Sequence, residues 1–138
     1  MATMSYFRSL TCVSALITCY SATPVWAGAI LDGSTGSTGS FSGNFVIPDT
    51  VGTTTGTNLF HSFSDFNINS GESATFFGPS SITNVITRVT GDSTSTFNGA
   101  LTALIDPLSG QTGANFYFIN PNGLIFKENA ILNIGGSF

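Results

Sequence analysis

His61 is the single histidine of the 138-residue chain, and it stands beside Ser62, Ser64 and Asp65. Those are the residue types of nucleophilic hydrolysis, which needs a base within reach of a hydroxyl and a carboxylate that orients the base. Here the candidates are only local neighbours in a Phe-rich segment, so His61 is expected to pack or to hydrogen-bond. Asp32, Asp49, Asp92 and Asp106 each adjoin Gly, Thr or Pro, the habit of turn carboxylates. No acidic repeat supplies the converging oxygens that calcium requires, so no metal and no cofactor is expected. Enzymes that cleave acidic polysaccharides gather several carboxylates with Lys or Arg, and the scattered acids with Arg88 and Lys127 supply no such cluster. The expectation is that the chain is not an enzyme and takes no small-molecule substrate.

The elements that would position these residues begin after a leader. Arg8 precedes a stretch from Ser9 to Leu31 without charge, in which Leu10 to Ile17 is moderately apolar and Pro24-Val25-Trp26-Ala27 follows. A basic start, a short apolar run and small residues at the end read as a secretory signal peptide over residues 1–27, cut between Ala27 and Gly28. A membrane span needs about 20 strongly apolar residues, which Ser, Thr and Pro24 interrupt. Leu16-Ile17-Thr18-Cys19 is a poor lipid-attachment site, because Thr precedes the Cys. Cys12 and Cys19 leave with the leader, so the exported part has no thiol for a disulfide, a metal or a nucleophile. Its seven acids against Arg88 and Lys127 give a net charge of −5, which excludes a basic footprint for nucleic acid or anionic lipid. Membrane contact is expected only through export.

From Gly28 onward the chain is a series of short apolar runs divided by turn residues. Ala29 to Gly33 and Phe41 to Asp49 are the first two, and Ser/Thr/Gly runs at 34–40 and 50–57 are either flexible linkers or extended edge segments. Asn58 to Asn69 reads as a strand with a bend near Ser62. Ala74–Phe77, Ile82–Val89, Ala100–Ile105, Phe116–Ile119, Leu124–Phe126 and Ala130–Ile134 follow. None is long enough for an amphipathic helix, so the fold class is all-β. A sandwich and a solenoid both fit that pattern. The final third favours a parallel β-helix, with runs starting every seven or eight residues and Asn122 and Asn133 near corners, where like residues stack.

Asn120-Pro121-Asn122-Gly123 is a strong turn statement: Asn bonds its own backbone further on, Pro presets φ, and Gly is free to take positive φ. Its surroundings carry more. Asn58-Leu59-Phe60-His61-Ser62-Phe63 with Phe66-Asn67, then Ile86-Thr87-Arg88-Val89-Thr90-Gly91, then the corner with Leu124-Ile125-Phe126, then Leu132 to Phe138 follow one order and spacing. That order resembles the haemagglutination-activity, or two-partner-secretion, domain of exoproteins of the filamentous haemagglutinin type, over about residues 30–138.

The resemblance implies a right-handed parallel β-helix at the amino end of a large exoprotein, an adhesin, cytolysin or contact-dependent toxin. It implies export to the periplasm and recognition there by the POTRA modules of a partner outer-membrane barrel transporter. Passage to the cell surface or extracellular space follows. The family motif carries over to Asn120, Pro121, Asn122 and Gly123, with Leu124 beside it, and the matching segments single out Asn58, Leu59, Phe60, His61, Ser62, Phe63, Phe66 and Arg88. For Arg88 two roles stand open, contact with the transporter or solvation of a strand. A second family motif, Asn-Pro-Asn-Leu, has no counterpart here, which marks a variant branch. Family domains run on beyond the Gly-Gly-Ser-Phe segment, so residues 28–138 read as the N-terminal part of such a domain, truncated at its C-terminus. Alternatives are a passive surface adhesin module or a non-functional gene fragment. A stack without its next rung is expected to leave apolar side chains wet.

Overall fold

A computed structural model describes residues 28–106 and 113–138. It is all-β, with parallel sheets as its main pairing. The signal-peptide assignment, Ala27 included, lies outside the described residues.

The strands are β1 (Ala29–Asp32), β2 (Thr38–Phe41), β3 (Asn44–Ile47), β4 (Thr53–Thr55), β5 (Asn58–Phe66) and β6 (Ser73–Gly78). They continue with β7 (Asn84–Val89), β8 (Ser95–Phe97), β9 (Ala100–Ile105), β10 (Asn115–Ile119), β11 (Leu124–Phe126) and β12 (Ile131–Asn133). One 3-10 turn, Asp49–Val51, follows Pro48. β5, β7 and β10 pair in parallel, β8 pairs with β11, and β3, β6, β9 and β12 form a third parallel stack. Each pass of the chain therefore lays one strand on each of three stacks, and an isolated bridge from Ile68 to Phe97 extends the second stack downward.

The amino end differs. β1 runs antiparallel to β5, β2 to β1 and β4 to β5. The second half of the 34–40 run (in β2) and the middle of the 50–57 run (β4) thus resolve as extended edge segments, which suits the strand preference of Thr, while residues 34–36 and 56–57 are turns. The expected bend in β5 is displaced. The strand is continuous through Ser62, and the irregularity falls at Ser64, where the pairing with β1 jumps from Asp65 to Phe63.

Alternation fills the space between the stacks, because successive side chains of a strand point to opposite faces. Val85, Thr87 and Val89 of β7 and Leu101, Ala103 and Ile105 of β9 point inward and are buried. Phe rings occupy the centre: Phe66 sits 5.1 Å edge-on from Phe63 and 5.1 Å from Phe118, and Phe76 lies 4.8 Å from Phe116. Each fully buried Phe contributes about 1.5–3 kcal/mol. Phe126, Leu132 and Phe138, 46, 42 and 50% exposed, carry the same pattern one pass further.

One polar feature locks the register. Asn58, Asn84 and Asn115 begin β5, β7 and β10 and lie directly over one another. Asn84 Nδ2 donates to Asn58 Oδ1 at 2.8 Å, and Asn115 Nδ2 donates to Asn84 Oδ1 at 3.0 Å. The last oxygen, Asn115 Oδ1, accepts the Ser137 N–H at 3.0 Å. Asn84→Ala removes the middle of this ladder and leaves two partly buried amide groups unpaired, which is expected to cost about 1–3 kcal/mol. Urea unfolding of the variant against wild type measures it, and an unchanged midpoint would show that the ladder follows the register without holding it.

Candidate functional site

The segments singled out by sequence converge on one corner. Thr90 N–H donates to the Phe63 carbonyl at 2.8 Å and Gly91 N–H to the Ser64 carbonyl at 3.1 Å, while Asn122 Nδ2 donates to the Gly91 carbonyl at 2.6 Å. Residues 62–64, 88–91 and 120–123 therefore stack as one column, where the β5–β7–β10 sheet ends and the chain turns toward β8 and β11. Gly91 is required by the closeness of this stack, since a Cβ there would run into the Ser64 carbonyl.

The Asn-Pro-Asn-Gly turn forms as its residues dictate. Gly123 N–H closes the turn on the Asn120 carbonyl at 3.0 Å, Asn120 Oδ1 accepts the Asn122 N–H at 2.9 Å, and Gly123 has φ +105°. Its remaining polar groups reach the preceding rung. Asn120 Nδ2 donates to the Ser93 carbonyl and to Ser95 Oγ, at 3.0 and 2.9 Å, and the Asn122 carbonyl accepts Thr94 Oγ1 at 3.2 Å. The motif clamps one rung to the next, and Pro121 presents itself to solvent while Leu124 packs against the core.

Below the corner, β5 sends Leu59, His61 and Phe63 inward and Phe60 outward. The His61 ring lies edge-on to Phe76 at 5.2 Å, and its Nε2 faces the Pro48 carbonyl at 3.3 Å. Burial pushes its pKa down to about 4, against smaller opposing effects of that carbonyl and of Asp49. Ser62 lies on the opposite face of the strand, so histidine and hydroxyl do not meet as a base and nucleophile would. His61 Nδ1 and Thr87 Oγ1, on residues paired in register, are buried without a partner.

Ser62 is buried from outside by Asp32. Its Oγ donates to Asp32 Oδ2 at 2.6 Å and accepts from Arg88 Nε at 2.8 Å. Arg88 Nη2 donates to Ser34 Oγ at 3.0 Å, and Ser34 donates to Asp32 Oδ1 through Oγ at 2.7 Å and N–H at 2.9 Å. Thr90 Oγ1 lies 2.9 Å from Asp32 Oδ2. Partial burial alone would raise the Asp32 pKa, yet the bonds from Ser62, Ser34 and Thr90 together hold it well below the usual carboxylate range. Asp32 is a turn carboxylate, as its sequence context indicates, and also the clasp that fastens β1 to β5 and β7. Arg88 is exposed but anchored, and Gly28 is buried at the start of β1 under the Phe45 ring.

Comparison with family models finds one match, the TPS secretion domain, over residues 27–138. Curated proteins and solved structures give no match.

Two outcomes follow from this geometry. Asn122→Ala strips the Gly91 carbonyl of its donor at an exposed corner and is expected to lower unfolding free energy by about 1 kcal/mol, read by urea denaturation. For His61, the folded pKa lies below the ordinary 6.5, so the unfolded chain binds a proton that the folded one refuses. Its contribution is fully present above pH 6.5 and is lost as pH falls toward 4, by roughly 3 kcal/mol. Unfolding series at pH 7 and pH 4 should show that loss in wild type and a smaller one in His61→Leu. Equal losses would place the acid sensitivity elsewhere.

Proposed function

Because the chain belongs to the TPS, or two-partner-secretion, family of secretion domains, we propose that it is the targeting domain of an exoprotein of the filamentous haemagglutinin type. The observation that carries this reading is a family match spanning every described strand, on a fold whose corner column holds the matched segments together. The family places the chain among secreted exoproteins that travel with a partner transporter. The finer reading is that POTRA modules of an outer-membrane barrel recognise this domain in the periplasm. The barrel then passes the exoprotein to the cell surface or the extracellular space. Transport targeting, and no catalysis, is the role assigned to the column.

The three parallel stacks are best read as the faces of a right-handed parallel β-helix. Parallel crossovers are right-handed in nearly all known cases, and each pass here returns a parallel strand to every stack. The antiparallel β1, β2 and β4 then cap the amino end, where an open edge would invite pairing with another chain.

The test is export. The full chain, fused to a reporter, is expected to reach the medium only from cells that also make the cognate barrel transporter, and its intact mass should begin at Gly28. Reporter release that is equal with and without the transporter would favour a passive surface module, and retention of Cys12 or Cys19 in the exported product would rule out removal of residues 1–27.

A further inference from the structure

The chain contains two Asn-Gly dipeptides, Asn98-Gly99 and Asn122-Gly123. Such a pair can modify itself without an enzyme. The backbone nitrogen of the Gly attacks Cγ of the Asn side chain, and Gly carries no side chain to obstruct the approach. The new N–Cγ bond forms as the Cγ–Nδ2 bond breaks, and the side-chain amide leaves as ammonia with the proton of the Gly N–H. Water then opens the cyclic imide at either carbonyl, giving aspartate or its β-linked isomer.

The corner withholds both reacting groups of Asn122-Gly123. Gly123 N–H is committed to the Asn120 carbonyl at 3.0 Å, and Asn122 Nδ2 to the Gly91 carbonyl at 2.6 Å. The Asn122 N–H is held by Asn120 Oδ1 at 2.9 Å and its carbonyl by Thr94 Oγ1 at 3.2 Å. Ring closure therefore requires the carboxamide to swing away from Gly91 and the Gly123 nitrogen to leave the turn. Asn122 is exposed, so water is at hand; the protection lies in posture and not in burial. Asn98-Gly99 is held by other means. Asn98 Oδ1 accepts from Asn129 Nδ2 at 3.1 Å, and a Cβ on the buried Gly99 would run into the Glu72 carbonyl.

Conversion at Asn122 has a consequence for the stack. Asn122 gives the corner a donor, and a carboxylate in its place can only accept. Two acceptors would then face each other at the Gly91 carbonyl, and the β-linked isomer also adds a carbon to the main chain inside a tight turn. We propose that Asn122 is a self-modification site that folding closes. A chain that stays unfolded converts there irreversibly, and a converted chain has lost the clamp that joins this corner to the rung before it. The inference is independent of the function proposed above.

Peptide mapping by mass spectrometry tests this on the full chain, incubated in mildly alkaline buffer with and without guanidinium chloride. In denaturant the peptide holding Asn122 is expected to gain the amide-to-acid mass while ammonia is released. In the folded chain the same conversion should be at least about tenfold slower, because two hydrogen bonds must open before reaction. Asn120→Ala keeps the dipeptide and loosens the corner around it. Its rate should match wild type in denaturant and exceed it in buffer, under conditions where its own unfolding curve shows it folded. Asn122→Asp should unfold at lower urea than wild type. Equal wild-type rates with and without denaturant, or no conversion in denaturant, would overturn the site. An Asn120→Ala rate in buffer no faster than wild type would place the protection outside the corner and overturn it as well. An Asn122→Asp midpoint equal to wild type would overturn the lost clamp.

Discussion

In a stack of parallel strands about 4.8 Å apart, every residue sits on its counterpart in the rung below, and every buried polar group must find its partner along that vertical. The Asn58–Asn84–Asn115 ladder is the clearest expression of this constraint. An amide side chain carries a donor and an acceptor on one flat group, so Asn84 donates to Asn58 beneath it and accepts from Asn115 above it. Asn98 and Asn129 repeat the arrangement at a second corner, at 3.1 Å. A slip of one residue would break these bonds and turn the Phe rings outward together.

The rest of the molecule is arranged around that stacking. Corner residues that would otherwise expose backbone carbonyls satisfy them with side chains from the next pass: Asn120 reaches Ser93, and Asn122 reaches Gly91. Beside β5, among the described residues, the antiparallel β1, β2 and β4 replace a parallel rung, while β3 continues the third stack in parallel under β6. β1 is fastened by Asp32, whose carboxylate gathers donors from Ser34 in its own turn, from Ser62 of β5 and from Thr90 just after β7. A fixed cap, a fixed corner and a fixed register together give the outer face of β5, β7 and β10 a defined shape.

Sequence made some of this legible and hid the rest for physical reasons. The Asn-Pro-Asn-Gly turn was readable because its four positions have local conformational requirements, and Gly123 meets them with its positive φ. Most strands were readable from apolar runs between turn residues. β8 was not, since Ser95 and Thr96 precede a single apolar Phe97 and imitate a loop. The polar runs of β2 and β4 gave no decision between linker and strand, because their pairing depends on β1 and β5 lying alongside. The ladder escaped notice because its partners are 26 and then 31 residues apart, which leaves no constant period. Ser62, Arg88 and Asp32 were each visible singly, but only the fold brings them together. His61 was readable as a packing residue from its Phe neighbours; its depressed pKa comes from burial that no local pattern records.

The central claim is that like residues stack in parallel, rung upon rung, with the Asn ladder at the start of each rung. Side-chain amide contacts in the exported, isotope-labelled chain test it most directly by nuclear Overhauser spectroscopy. Cross-peaks linking the Asn84 amide protons to Asn58 and the Asn115 amide protons to Asn84, with none between Asn58 and Asn115, are the predicted result. Cross-peaks joining β5 and β7 in antiparallel register, with the Asn84 amide remote from Asn58, would contradict the account.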